Sequence, residues 1–179
     1  MKISEFCKYL ERLDSTSKRL EITAILKELL QNLDPKDDEV AKAVYLSLGY
    51  LKAAYANPKF NIAEKMMIRV LENAYGLSKS DIEKVYAATG DLGDAAYKLA
   101  KEPQIKNQQT VCEIHSELVK LAEIEGTGSQ EEKVKKLTGI ILKVDKLSAK
   151  YLIRIVLGTT RLGFTELTII DALNSLING

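Results

Sequence analysis

The chain has 179 residues, with 26 Lys plus Arg against 25 Asp plus Glu, and a formal net charge of +1. Hydrophobic residues make up 46% and charged residues 28%, which is typical of one soluble globular domain and excludes a disordered tail or a generic polycation that coats nucleic acid. The apolar runs are too short for a membrane span, and Cys7 and Cys112 provide neither a disulfide framework nor a metal-ligand spacing. Acidic residues follow Met1 at once, so we expect no export signal and a cytoplasmic location.

The apolar periodicity predicts an all-α fold, a single compact domain of roughly ten short helices. Spacings of three and four recur in four stripes, each predicted to be the buried face of a helix: Leu20–Leu33, Val111–Ala122, Val134–Val144 and Leu167–Ile177. Prolines at positions 35, 58 and 103 mark breaks between helices. Capping boxes are predicted at Thr110–Glu113 and Ser129–Glu132, with Ser80–Glu83 as a third candidate.

The sequence lacks the motifs of the common enzyme classes. It has no Walker phosphate loop, no serine nucleophile elbow and no His-Glu-x-x-His zinc motif. His115 is the single histidine, so a histidine metal cluster is excluded, and a Cys112–His115 dyad would lack an orienting third group. We therefore expect this chain by itself to contain no catalytic residue and no metal site.

Three loop-to-helix junctions combine small or hydroxyl residues with nearby basic residues. They are the first turn (residues 15–19), the second turn (residues 126–129, followed by Lys133, Lys135 and Lys136) and the third turn (residues 158–163). Free amides and the positive end of a helix dipole favour an anion, and glycine lets the backbone approach a phosphate closely. Each junction alone is better explained as a turn with an N-cap, but three in one chain shift the balance modestly toward phosphate binding.

These junctions belong to a series of motifs that covers nearly the whole chain. In order, the motifs are Phe6-x-x-Tyr9-Leu10-x-x-Leu13, Ser17-x-Arg19-Leu20, Gly90-Asp91-Leu92-Gly93-Asp94-Ala95-Ala96, Gly126-x-Gly128-Ser129-x-x-x-Lys133, Ala149-Lys150-Tyr151-Leu152-Ile153-Arg154, Gly158-x-x-Arg161-Leu162-Gly163-Phe164 and Thr168-x-x-Asp171-Ala172-Leu173. Together they resemble the N-terminal DNA-binding domain of ATP-dependent DNA ligases, most closely the archaeal type.

The resemblance implies an all-α domain, here residues 1–179, that binds nicked duplex DNA across the minor groove without regard to sequence. It implies no cofactor in this domain, whereas the parent enzyme uses ATP and Mg²⁺ in separate nucleotidyltransferase and OB-fold domains. The adenylated lysine of the family lies in Lys-x-Asp-Gly, and the nearest string here, Lys143-Val144-Asp145-Lys146, lacks the glycine. The implied partners are nicked DNA and the catalytic core of the same polypeptide. A sliding clamp is an open candidate, and no membrane is expected.

Matched motif by motif, the resemblance implies DNA contacts at nine residues in the three turns. These are Ser17 and Arg19, then Gly126, Gly128, Ser129 and Lys133, then Gly158, Thr159 and Arg161. Family members often carry a basic residue where this chain has Thr159, and a hydroxyl releases no counterion, so binding is expected to be weaker and less dependent on salt. Arg161 and Lys133 are expected to contribute more to binding than Lys135 or Lys136.

For the other motif residues, a structural role explains the residue at least as well as a contact with DNA. Gly90 and Gly93 are predicted to form turns, and Asp91 is predicted to be the N-cap of the following helix. Arg154 is left open between facing DNA and pairing with a carboxylate. Two other function classes also stay open, an all-helical scaffold for protein partners and, disfavoured by the missing motifs, a free-standing enzyme.

Overall fold

A computed structural model of the protein describes residues 1–101, 109–160 and 162–179. Within these ranges there are ten α-helices, two short 3₁₀ turns and no strand, so the all-α prediction is confirmed. The helices are α1 (Ile3–Asp14), α2 (Arg19–Asn32), α3 (Glu39–Ser47), α4 (Glu64–Tyr75), α5 (Lys79–Thr89), α6 (Leu92–Leu99), α7 (Val111–Ala122), α8 (Ser129–Leu142), α9 (Lys146–Leu157) and α10 (Glu166–Ile177). The predicted break at Pro103 and the predicted DNA contact Arg161 lie outside the described residues.

The centre of the fold is α9. Eight of its residues are buried on all sides of the helix, including Tyr151, Leu152 and Ile153, which is the pattern of a helix enclosed by others. It packs against α6 and α1, while α8 packs against α4 and α7, and α10 packs against α2. The carboxyl end of α9 leads into the third turn.

The contact between α6 and α9 depends on the Gly90–Ala96 motif. Asp91 is the N-cap of α6, as predicted, since its carboxylate accepts a hydrogen bond from the amide of Asp94. Gly93 does not form a turn, contrary to the prediction, because it lies inside α6 where an added Cβ would be 2.7 Å from the carbonyl oxygen of Lys150. Gly90 ends α5 with a φ of +71°, as a turn glycine does. Close helix packing, rather than ligand contact, explains Gly93.

Arg154, whose role the sequence left open, pairs internally. Its guanidinium lies 3.0 Å from a carboxylate oxygen of Asp14, 3.1 Å from Asp91 and 3.2 Å from Asp94. The side chain is 13% exposed, so these carboxylates replace most of its hydration. Arg154 therefore joins α1, α6 and α9 and is not available to DNA.

The helix starts were only partly predictable. The Thr110 capping box is confirmed, with the Thr110 hydroxyl accepting from the Glu113 amide and the Glu113 carboxylate accepting from the Thr110 amide. The other two boxes are wrong, because α8 starts after Gly128 in the left-handed conformation and α5 starts after Ser78. At α8 the N-cap position is taken by Gly128, which readily adopts the left-handed conformation found there, and Ser129 is the first residue of the helix.

The buried stripes of α7 and α8 are confirmed, and so is the stripe of α2 from Ile25 to Leu33, whereas Leu20 and much of α10 differ from the prediction. Leu20 is 85% exposed, and α10 buries Ile169 and Ala172 while Leu167, Ile170 and Ile177 stay exposed. The physical reason is that α10 lies at the edge of the fold on α2, so only one narrow side of it is covered in the described part of the chain. None of the described helices combines the length and the apolar character that crossing a bilayer requires.

Candidate nucleic-acid interface

The first turn connects α1 to α2 and opens to solvent. Ser17 is exposed, and Lys18 is the N-cap of α2 without a side-chain hydrogen bond to the cap amides from any described residue. The initial amides of α2 are therefore available to an anion. Arg19 follows directly, and its Nη2 lies 2.7 Å from Oδ2 of Asp171 in α10, with side chains 78% and 44% exposed. Such an exposed ion pair is weak, so Arg19 can exchange Asp171 for a phosphate.

The second turn has the backbone that its glycines predict. Gly126 and Gly128 have φ values of +90° and +78° and are both exposed, and the Ser129 amide donates to the Gly126 carbonyl over 3.2 Å. In the part of the chain that the structure describes, no side chain caps α8, so the amides of Gln130 and Glu131, which follow Ser129, have no capping partner. Two carboxylates of the first turn of α8, those of Glu131 and Glu132, oppose an anion there. Both carboxylate oxygens of Glu131 accept from Nη2 of Arg69, at 2.6 and 2.7 Å, whereas Glu132 is exposed.

Lys133 does not occupy the position that was predicted for it. Its side chain is 5% exposed, and Nζ donates a hydrogen bond of 2.7 Å to the carbonyl oxygen of Phe60. The expectation that Lys133 extends outward as a free charge is therefore wrong in this structure. The reason is its position on the helix, because Lys133, Leu137 and Ile140 are spaced by four and three residues and share the buried face of α8. Lys135, which was expected to contribute less to DNA binding than Lys133, is exposed.

The third turn begins at the carboxyl end of α9, not at a helix N-terminus. Gly158 is the exposed C-cap of α9 with a φ of +69°, so the carbonyl end of the helix dipole lies beside it. The expectation of anion-binding helix amides at this turn is therefore wrong. Thr159 Oγ1 is buried and has no hydrogen-bond partner among the described residues, so this hydroxyl does not point outward as a phosphate donor would. Any cationic contribution at this turn depends on Arg161, outside the described residues.

The second and third turns lie on one surface, separated by residues 57–63, where the sequence predicts only a break between helices at Pro58. Residues 57–63 border a groove of about 580 Å³ that reaches Gly158 and Gln130. The same segment borders a second depression through Asn61, and Gly126 and Ser129 line its opposite side. The first turn contacts α10, the helix that follows the third turn, through the pairing of Arg19 with Asp171.

Comparison with known proteins identifies the family. The sequence model of a family described as DNA ligase N terminus matches residues 2–174. The chain belongs to this family. Among its relatives, DNA ligase 1 of Methanosarcina mazei is 36% identical over 172 residues, 96% of this chain and 29% of that protein. DNA ligase of Sulfolobus acidocaldarius is 34% identical over 191 residues, 100% of this chain and 32% of that protein. The chain thus spans about a third of the length of these two ligases, and the resemblance seen in the sequence is confirmed.

Many basic residues of this DNA ligase N-terminal domain are paired with carboxylates. The pairs include Arg12 with Glu28, Lys18 with Glu21, Arg69 with Glu131, Lys136 with Glu117 and Lys150 with Glu11. Burial acts to raise the pKa of Glu11, but hydrogen bonds from Tyr151 and Lys150 and the charge of Arg154 outweigh it, so this pKa is lowered. These pairings leave a smaller set of basic residues without a carboxylate partner in the described part of the chain.

The cysteine and the histidine of α7 do not form a reactive pair in this DNA ligase domain. Nε2 of His115 lies 2.8 Å from the Leu51 carbonyl oxygen, and burial lowers the pKa of the imidazole. Sγ of Cys112 lies 3.8 Å from the Asp37 carbonyl oxygen, and burial raises the pKa of this thiol. Across residues 1–101, 109–160 and 162–179, no three His, Cys, Asp or Glu side chains are placed to hold a metal ion.

Proposed function

We propose that this chain, over residues 1–179, is the DNA-binding domain of an ATP-dependent DNA ligase and binds nicked duplex DNA without sequence preference. The observation that carries the proposal is the exposed Gly126–Gly128 turn, which opens onto the uncapped N-terminus of α8 in a member of the DNA ligase N-terminal family. Without side chains on the two glycines, a sugar-phosphate backbone can approach the first amides of α8 closely.

The contacts in this proposal are made to phosphate and sugar. Ser129 lies at the start of α8, where the amides of the two following residues face the phosphate. Arg19 exchanges its exposed carboxylate partner for a phosphate, and Gly158 leaves room for the backbone beside Arg161. Contacts to phosphate and sugar position a protein along the minor groove and carry no base information, so all sequences are bound alike. Lys133 and Thr159, which point inward, support this surface and do not themselves contact the DNA.

For the whole protein, we propose that it seals nicks in replication, repair and recombination. ATP and Mg²⁺ then act in the catalytic core of the same polypeptide, outside this domain, and this core is a partner of the domain together with nicked DNA. A sliding clamp is an open candidate for a third partner. The support is that the relatives are named DNA ligases and extend well beyond the part that this chain matches.

Fluorescence anisotropy with labelled nicked duplexes tests the binding proposal. Nicked duplexes of unrelated sequence should bind with similar, weak affinity, and the affinity should fall as the salt concentration rises, because phosphate contacts release counterions. A strong preference for one sequence, or no binding at low salt, would contradict the proposal.

Incubation with labelled ATP and Mg²⁺, followed by denaturing electrophoresis, tests the assignment of the chemistry to other domains. The chain should acquire no covalent AMP, because it lacks the Lys-x-Asp-Gly motif of the family. A labelled protein band would overturn the domain assignment.

A further inference from the structure

Residues 57–63 form an irregular, extended segment between the 3₁₀ turn Ala54–Ala56 and α4. Phe60 and Ile62 are buried, whereas Lys59, Asn61 and Ala63 are exposed, so the side chains alternate between the core and the solvent. Phe60 and Ile62 anchor the segment in the core, and Lys59 and Asn61 lie at its surface.

The segment is tied to the second turn by a buried hydrogen bond. Nζ of Lys133, one helical turn beyond Ser129, donates to the Phe60 carbonyl oxygen over 2.7 Å. The next residue, Asn61, has a φ of +52°, in the left-handed region that asparagine tolerates better than most residues. Asn61 borders the depression that Gly126 and Ser129 also line.

On its other side the segment borders the groove that reaches Gly158 at the third turn. Among the described residues that line this groove, Lys59 is the only charged one, and none is acidic. Lys59 also makes no ion pair or hydrogen bond with any residue in the described ranges, unlike Lys18 or Lys136, each held by a glutamate. Its positive charge is therefore not neutralised by any residue that the structure describes.

We propose that residues 57–63 are a further DNA-contacting element, in which Lys59 and Asn61 contact the sugar-phosphate backbone between the second and third turns. Lys133 is the positioning residue that holds this element beside the second turn. The inference rests on the proposed function, because a backbone that joins the second turn to the third must pass over this segment. The unpaired charge of Lys59 and the absence of carboxylates among the described lining residues make the groove complementary to phosphate.

The test compares Lys59→Ala with Lys143→Ala in the 179-residue chain, by anisotropy with a nicked duplex at several salt concentrations. Lys143 is the matched control, since it is exposed, has no partner among the described residues, and follows α8 at the end about 20 Å from Ser129. Lys59→Ala should weaken binding severalfold for every sequence and reduce the slope of log affinity against log salt by about 0.9, the share of one phosphate contact. Lys143→Ala should leave both unchanged.

Asn61→Gly tests the neutral contact separately, because glycine keeps the left-handed backbone and removes only the side chain. It should weaken binding and leave the salt slope unchanged. If the wild-type chain binds DNA and Lys59→Ala, with unchanged thermal stability, matches it in affinity and slope, the inference is overturned while the proposed function stands. If Lys143→Ala loses as much as Lys59→Ala, the placement of the contact is overturned. If the wild-type chain fails to bind at low salt, the proposed function itself fails.

Discussion

Replacing Lys133 by alanine separates a positioning role from direct contact with DNA. The substitution removes three buried methylenes, which contribute about 2 kcal/mol, and the hydrogen bond to Phe60, which contributes about 1 kcal/mol. Relief of the desolvated ammonium offsets part of this loss, so the free energy of unfolding should fall by about 2–3 kcal/mol. In a chain of this size, each kcal/mol lowers Tm by about 2–4 °C, which predicts a decrease of about 4–12 °C.

Thermal unfolding followed by circular dichroism measures this change, with Lys135→Ala as the control. Lys135 is exposed on the same helix two residues away, and a surface substitution of this kind should change stability by less than about 0.5 kcal/mol. At a temperature where both variants are folded, Lys133→Ala should also bind nicked DNA more weakly, because the 57–63 segment is no longer held. The reasoning is refuted if Lys133→Ala keeps the wild-type Tm and loses about 0.9 from the salt slope, since Lys133 would then be a phosphate ligand.

Gly93→Ala should lower the free energy of unfolding by about 1–3 kcal/mol, because its Cβ would lie 2.7 Å from the Lys150 carbonyl oxygen. Gly139→Ala, whose Cβ meets open space inside α8, should raise the free energy of unfolding by up to about 1 kcal/mol. Equal denaturant midpoints for the two variants would contradict the close approach of α6 and α9. Burial lowers the pKa of the His115 imidazole below its usual 6.5, so at a given pH the imidazole binds a proton more readily in the unfolded chain than in the folded one. The stability that this group contributes above pH 6.5 is therefore lost as the pH falls. Tm should therefore decrease between about pH 7.5 and 5.5, and His115→Gln, measured over the same range, should flatten this dependence. Arg19→Ala should lower the free energy of unfolding by less than about 1 kcal/mol, because its ion pair with Asp171 is exposed. It should also reduce the slope of log affinity for DNA against log salt by about 0.9, and an unchanged slope would show that the first turn is not part of the interface.

Features that depend on neighbouring residues along the chain were predictable from the sequence. The Thr110 capping box and the Asp91 N-cap each need only a side chain and an amide three residues further on. The buried faces of α7 and α8 follow from apolar spacing, since both helices have their apolar side covered by the core. The same reasoning failed for α10, because an apolar stripe does not reveal how many neighbouring helices will cover it.

The candidate interface was less predictable, because it depends on contacts between distant parts of the chain. Lys133 was assigned by its distance from the second turn along the sequence, although its spacing from Leu137 and Ile140 already placed it on the buried face. The sequence predicts a helix N-terminus near Gly158, but this glycine ends α9, and α10 begins only at Glu166. The segment around Lys59 carried only a proline as a signal, and its place between two turns is a property of the tertiary fold.

The DNA binding proposed for a chain of net charge +1 depends on which of its cations are paired with carboxylates. Net charge counts Arg154 and Lys59 equally, yet Arg154 is held by three carboxylates and Lys59 is unpaired within the described ranges. Only cations that exchange a weak partner or have none can release counterions from DNA, so the salt slope should reflect a few such residues rather than the 26 basic residues of the chain. Binding by this domain is therefore expected to be weak by itself, and its strength should depend on where the unpaired cations lie on the surface.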